Sequence, residues 1–331
     1  MTVASASSAD VGSLAVIDGH AHIASRDYTP DAFTEGVVQN LLVRASAQGI
    51  AVSPARMRDV VYKTLNDADC DELQQQMNAA GIAHTVLLLP DFTYALKGSS
   101  LTIAEQIERH ERVLRRHRGR FSLLVGVDPR WGADAIALFE RTLRSGTARG
   151  LKLYPPCGYS PSDLALYPFY ELCRSTGAPV LLHTGGTSPA LDLQFASPML
   201  VDAAARDFPE VRFILAHASG TYVEECVMLA SSRPNVYLDV SGCAGHSLAR
   251  LNSLCDQGAT HKLIFGTDWP VFRMQFSQAE LVRAATSDAG PVQRMPHWQA
   301  DRFLGGTIRE LLGLDSDSFQ VRAAAPPAVY P

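Results

Sequence analysis

His20-Ala21-His22 closes a short apolar run, SLAVIDGHAHI (13–23), and sets two imidazoles two residues apart. Side chains alternate along a β-strand, so both rings face the same way and can hold one borderline divalent ion through neutral nitrogens. Four more residues able to do chemistry end other apolar runs. They are Lys152 in ARGLKLYPP (148–156), His183 in APVLLHTGG (178–186), His217 in VRFILAHAS (211–219) and Asp268 in HKLIFGTDWP (261–270). Each alone has an ordinary structural role: a satisfied rim histidine, a lysine stretched to solvent, an aspartate capping a turn. Their shared position at the ends of apolar runs makes a divalent-metal site the stronger reading.

The elements that must position them follow a regular plan. With AHTVLLLPD (83–91), FSLLVGVDP (121–129) and NVYLDVSG (235–242) there are eight such runs. Most are nearly continuous in Val, Ile, Leu and Phe, as in parallel strands covered on both faces. Helical segments lie between them: DADCDELQQQMNAAG ends in glycine, and TIAEQIERHERVLRRHRG opens on a capping-box pattern, Thr102-x-x-Glu105. This alternation predicts a (β/α)₈ TIM barrel, whose catalytic groups sit at the C-terminal strand ends. An open doubly wound sheet competes, but no Gly-x-Gly-x-x-Gly turn follows the first strand.

Residues 24–66 exceed a normal βα loop and are expected to form small helices placed as a lid. FSQAELVRAATS and ADRFLGGTIRELLGL read as two closing helices. One domain over 14–314 results, with a disordered tail at 1–13 and an extended tail at 315–331.

Composition narrows the partners. Over 331 residues, 29 Lys and Arg against 34 Asp and Glu give a net charge of -5, with no basic field for nucleic acid. No window approaches the ~20 apolar residues of a membrane span, and MTVASASSADVGS lacks the basic start of a secretory signal. Six scattered cysteines suit reduced thiols in a cytoplasmic protein. The expected partner is a small-molecule substrate, with no membrane or nucleic acid, and a homo-oligomer is compatible with the composition.

IDGHAHI, GLKLYPP, VLLHTGG, ILAHASG and IFGTDWP resemble, in order, the strand-end motifs of the amidohydrolase superfamily. The likeness is greatest to its amidohydrolase-related branch, where hydrolases stand beside decarboxylases resembling aminocarboxymuconate-semialdehyde decarboxylase. It runs from about residue 16 to about 314 and includes FLGGTIRELLGL, similar to that branch's closing helix. The resemblance implies that His20 and His22 are first-strand metal ligands and His183 the fifth-strand ligand. It makes His217 either a second-metal ligand or the group that polarises substrate, and Asp268 a ligand that also shuttles a proton. Lys152 is carboxylated and bridges two metals in binuclear relatives; in mononuclear ones it is free to hold a substrate carboxylate.

The leading expectation is therefore a hydrolase of an amide, ester or lactone that uses metal-activated water, the ion lowering the water pKa from about 15.7 to about 7. Metal-dependent non-oxidative decarboxylation of an aromatic or unsaturated acid is the alternative, and a non-haem iron oxygenase is a further one. Zn2+, one or two ions, is the expected metal, with Fe or Mn as alternatives. Tyr154, Arg130, Arg273 and Trp269 are expected to contact substrate, and Tyr159 and Phe272 to line an apolar wall. His84, His110, His117, His261 and His297 lie off the strand tips and are placed outside the site.

Overall fold

The eight runs become eight parallel strands in one sheet whose spatial order is their chain order. They are β1 (Val16–Ala21), β2 (Ile82–Leu89), β3 (Phe121–Gly126), β4 (Gly150–Leu153), β5 (Val180–Leu182), β6 (Phe213–Leu215), β7 (Val236–Asp239) and β8 (Leu263–Ile264). This is a computed structural model, and it describes residues 14–218, 220–242 and 248–315. The expected tails, 1–13 and all of 315–331 but Asp315, lie outside the described residues. The ring closes between β1 and the chain after β8. Gly19 N–H donates to the Phe265 carbonyl (2.8 Å), Asp268 N–H to His20 (2.8 Å) and His22 N–H to Trp269 (2.7 Å). The fold is a TIM barrel.

Strand alternation sorts the apolar side chains into two layers. Ile17, Val86, Leu88, Leu124, Leu181, Ile214 and Ile264 pack together inside the barrel, and Ile308, Leu311 and Leu312 of the last helix close its N-terminal end. Their neighbours, among them Leu87, Leu123, Leu151, Leu182, Phe213, Val236 and Leu263, form the outer layer beneath the helices. Every second residue beyond the inner layer reaches the C-terminal mouth, which takes Leu181 to His183 and Ile264 to Asp268. β1 departs from this parity. Ile17 is inside but Ala21 is outside, and the β1–β2 register shifts between Asp18 and Ala21. That irregularity turns His20 into the barrel.

The connecting helices form where the sequence predicts. Asp71–Ala80 stops at left-handed Gly81, and Ile103–Arg116 starts on the complete Thr102–Glu105 capping box. One closing segment differs from expectation. ADRFLGGTIRELLGL is not a single regular helix but His297–Asp301, a π-helical turn at Arg302–Gly306 and Thr307–Leu311. The widened turn lets Gly305 lie against β1, where a Cβ would come within 2.6 Å of the Ala15 carbonyl oxygen.

The long insertion is helical, as expected, with helices Asp31–Ala47 and Pro54–Thr64. A two-residue antiparallel pair, Ala24–Ser25 with Asn66–Asp67, gathers its ends. Ser188 Oγ donates to the Phe33 carbonyl (2.9 Å) and Asn40 Nδ2 to the Thr187 carbonyl (3.1 Å). The insertion thus rests on the loop after β5, at the catalytic end; its service as a lid stands on the sequence expectation alone. Among the described residues no helix is long and apolar enough to cross a membrane. Cys70, Cys157, Cys173, Cys226 and Cys255 are free thiols.

Candidate metal centre

Three ligand atoms converge at the mouth of the barrel. His20 Nε2 and His22 Nε2 are 3.2 Å apart, and each is 3.4 Å from Asp268 Oδ1. Their protonation follows from what lies behind them. His22 Nδ1 donates to the Leu88 carbonyl (2.8 Å), which can only accept. His20 Nδ1 meets the Asp239 carboxylate at 2.5 Å, and burial pushes the imidazole well below its usual pKa. Both Nε2 atoms are therefore bare lone pairs, turned toward each other and toward a carboxylate oxygen. Three electron-rich atoms this close repel unless a cation lies among them. Their spacing suits one ion with bonds of about 2.0–2.2 Å.

His183 and His217 complete the cluster. His183 Nε2 donates to the Gly186 carbonyl (3.1 Å), which leaves Nδ1 for a metal. Its ring stacks on Tyr154 at 4.1 Å and lies 5.0 Å from the His217 ring. His217 Nδ1 donates to the Ser241 carbonyl (3.2 Å), so Nε2 is again bare. A ligand atom of His217 lies within 4.8 Å of those of His20 and Asp268. Burial lowers the pKa of both His183 and His217, as metal-binding imidazoles require. His217 and Asp268 share left-handed backbone with φ of 56°, a conformation that costs about 1 kcal/mol or more for a residue with a Cβ. At these two tips the backbone turns each side chain toward the ion site.

Lys152 sits inside the barrel with 1% exposure, and its Nζ has no hydrogen-bond partner among the described residues. Burial lowers its pKa from 10.5 to about 8, against the pull of Asp239 and Asp268. An unpartnered buried ammonium among metal ligands fits a site that receives an anion.

The sequence reading missed three residues behind the ligands. Asp239, at the tip of β7, takes His20 Nδ1–H and the Ser241 hydroxyl (2.9 Å). Burial raises its pKa to about 7, opposed by its bonds from Ser241. Asp18 joins β1 to the chain after β8. It accepts from His20 N–H (3.1 Å), Thr267 N–H (2.9 Å), Thr267 Oγ1 (2.6 Å) and Gln278 Nε2 (3.2 Å), and burial lifts its pKa to about 7. The signal was present in NVYLDVSG, whose Asp239 closes β7 at the parity of Lys152 and His183. Nothing in one sequence distinguishes a carboxylate that orients a ligand from one that caps a turn. Such orienting partners tune metal affinity nearly as much as the ligands do.

Gly266 is required by this crowding. A Cβ there would lie 2.7 Å from Asp239 Oδ1, 2.9 Å from His20 Cβ and 3.0 Å from Ser241 Cβ. Gly266→Ala is expected to destabilise the protein by about 1–3 kcal/mol and to weaken divalent-metal binding, because relief must move His20 or Asp239. Thermal melts with and without added metal check this; an unchanged metal-dependent rise in Tm would contradict it.

The expected substrate contacts are placed less simply. Tyr154 is buried against His183, and its hydroxyl bonds Thr187 Oγ1 (2.9 Å). Trp269 is buried, with an Nε1 that has no partner among the described residues. Arg130 is already forked onto Asp128 (2.6 and 2.8 Å) and the Cys157 carbonyl. Arg273 stacks on Trp269 at 4.7 Å and pairs with Glu72 and the Thr64 carbonyl. The Tyr159 hydroxyl accepts from Tyr154 N–H (3.0 Å), and the Phe272 ring lies against Gly242. The histidines excluded above have other surroundings. His84, His110 and His117 bond the carbonyls of Gly119, Gln106 and Asp69, while His261 and His297 are exposed.

The family model described as Amidohydrolase matches residues 17–314, and the chain belongs to that family. Among solved structures it is similar to an uncharacterized TIM-barrel protein of Bordetella bronchiseptica, at 21% identity and a TM-score of 0.64, covering 91% of this chain and 99% of that one. It is also similar to a 5-carboxyvanillate decarboxylase of Novosphingobium aromaticivorans, at 14% identity and a TM-score of 0.65, covering 93% and 99%. At these identities the likeness is one of fold. A dihydroorotase of Cupriavidus taiwanensis is 27% identical over 154 residues. That match spans less than half of each protein, 43% of this chain and 42% of the dihydroorotase.

Proposed function

We propose that this chain is a divalent-metal enzyme that removes carbon dioxide, without an oxidant, from a small aromatic or unsaturated carboxylic acid. The observation that carries the reading is Lys152, a buried ammonium beside the metal ligands with no hydrogen-bond partner among the described residues. A cation so placed favours an anionic substrate over a neutral amide or lactone. The surroundings suit a flat molecule. Phe33, Phe92 and Tyr154, from three separate segments, pack ring to ring at 4.8 and 5.0 Å beside the stacked His183. The structural likeness to a decarboxylase crystallised with manganese supports the same reading. A donor set of imidazole and carboxylate without thiolate accepts manganese as well as zinc.

A divalent ion in this shell supplies Lewis acidity, polarising the oxygens of a bound substrate. The chain's own residues do the rest. Lys152 draws the carboxylate in, and the aromatic rings hold the plane of the molecule. The substrate enters as its carboxylate, so the proton comes from solvent, taken up on the bare Nε2 of His217. The bond to the carboxyl carbon breaks with its electron pair left on the ring or vinyl carbon, His217 delivers its proton to that carbon, and carbon dioxide leaves.

Hydrolysis, the first expectation from sequence, becomes the second reading. Its support is the half-length likeness to dihydroorotase and Asp268, which is placed to take a proton from water. Manganese-loaded protein in D2O, offered hydroxybenzoates, unsaturated acids and cyclic amides, separates the two. The expected product carries one deuterium where the carboxylate was, with carbon dioxide released at equal rate in air and under argon. Ring opening of a cyclic amide without carbon dioxide would overturn decarboxylation, and oxygen uptake would point to the iron oxygenase.

A further inference from the structure

We propose that Asp239 and Ser241 form one positioning element that couples the metal ligand His20 to His217, with the Ser241 hydroxyl as the junction. Ser241 Oγ lies 3.0 Å from His20 Nδ1, 3.0 Å from His217 Nδ1 and 2.9 Å from Asp239 Oδ2. The hydroxyl has one proton, and among the described residues the Asp239 carboxylate is its only purely accepting neighbour, so the proton goes there. Its lone pair then receives His217 Nδ1–H, a proton that the Ser241 carbonyl also demands. Asp239 in turn takes His20 Nδ1–H directly at 2.5 Å, while its other oxygen accepts Ser241 N–H (2.8 Å). With the hydroxyl proton on Asp239, both ring Nδ1 atoms in this chain of bonds face acceptors and carry their protons.

Two consequences follow. The tautomers of His20 and His217 are set together, each with Nδ1 protonated and Nε2 facing the site. A change at Asp239 must also reach His217, although no direct bond joins them. All four groups are closely confined, since Asp239 is fully buried, Ser241 is 2% exposed, and the His20 and His217 rings stand 4.9 Å apart. The junction rests on reading His20 as a metal ligand and is independent of the reaction class.

The test uses full-length protein labelled with ¹⁵N-histidine and loaded with zinc, a diamagnetic probe. It reads the zinc dissociation constant and the ring-nitrogen resonances of His217 in four forms: wild type, Ser241→Ala, Ser241→Thr and the isosteric Asp239→Asn. Ser241→Ala is expected to weaken zinc about tenfold, although Ser241 is no ligand, and to move the His217 nitrogens. Ser241→Thr keeps the hydroxyl and is expected to restore both. Asp239→Asn is expected to shift the His217 nitrogens with Ser241 still in place. Zinc affinity within twofold of wild type and unmoved His217 nitrogens in Ser241→Ala would overturn the proposal. An Asp239→Asn protein that loses zinc affinity but leaves His217 unmoved would overturn the coupling. Wild-type protein that binds no zinc would remove the ligand reading beneath it.

Discussion

Replacing His22 with alanine is expected to leave a folded barrel that has lost its ion. His22 is a partly exposed ligand, with a side chain 21% accessible, and it packs no apolar core. Its side chain's one bond to the backbone is to the Leu88 carbonyl, near the C-terminal end of β2. What the substitution removes is one corner of the triangle formed with His20 Nε2 and Asp268 Oδ1. Changes behind a ligand cost 10–100-fold in affinity, so loss of the ligand itself is expected to cost on the order of 10³-fold or more, and turnover with it. The metal-free variant should melt no lower than metal-free wild type, because three facing electron-rich atoms become two. Metal competition against a chelator, with melts of both apo forms, reads the two effects separately. Affinity within tenfold of wild type would remove His22 from the shell.

Exchanging Lys152 for methionine is expected to make the metal-free protein more stable while destroying its use of an anionic substrate. Methionine matches the lysine in length and carries no charge into the barrel. Removing a buried ammonium that has no hydrogen-bond partner among the described residues is expected to stabilise by about 1–3 kcal/mol. The pH dependence gives a second signature. Burial holds Lys152 at about 8 instead of 10.5, so between those values the unfolded chain carries a proton that the folded chain has released. Wild-type stability should therefore rise as pH climbs from about 8 toward 10.5, and Lys152→Met should flatten that rise. Binding of a carboxylate inhibitor is expected to weaken about 100-fold or more, as when one partner of a buried charge pair is removed. A variant that both unfolds more easily and keeps its inhibitor would show that Lys152 is a structural group.

Much of this barrel was legible in the sequence because both strand faces are covered. Eight continuous apolar runs followed by helix signals leave little else to build, and the same parity that fills the interior carries Lys152, His183 and Asp268 to the mouth. His20 was found for a reason the structure modifies. Plain alternation from Ile17 would turn it outward, and the shift between Asp18 and Ala21 brings it in. His217 likewise faces the site through a left-handed backbone that no periodicity encodes. Asp239, Ser241 and Asp18 escaped notice because their work is done across the ring, on partners more than 200 residues away in sequence for His20–Asp239 and Asp18–Thr267. Arg130 and Arg273 show what position alone leaves out. Their place after strand ends suggested anion binding, yet Asp128 and Glu72 already hold them. Partners of that kind are set by loop packing, which spacing alone does not express.

The central claim is one divalent ion held by His20, His22, His183 and Asp268, with Lys152 left as a free amine. Elemental analysis of protein purified without chelator, paired with an intact mass, tests it most directly. One equivalent of manganese, zinc or iron per chain with an unmodified Lys152 is the expected result. Two equivalents with a carboxylated lysine would contradict it in favour of a binuclear hydrolase, and native protein without metal would contradict the site altogether.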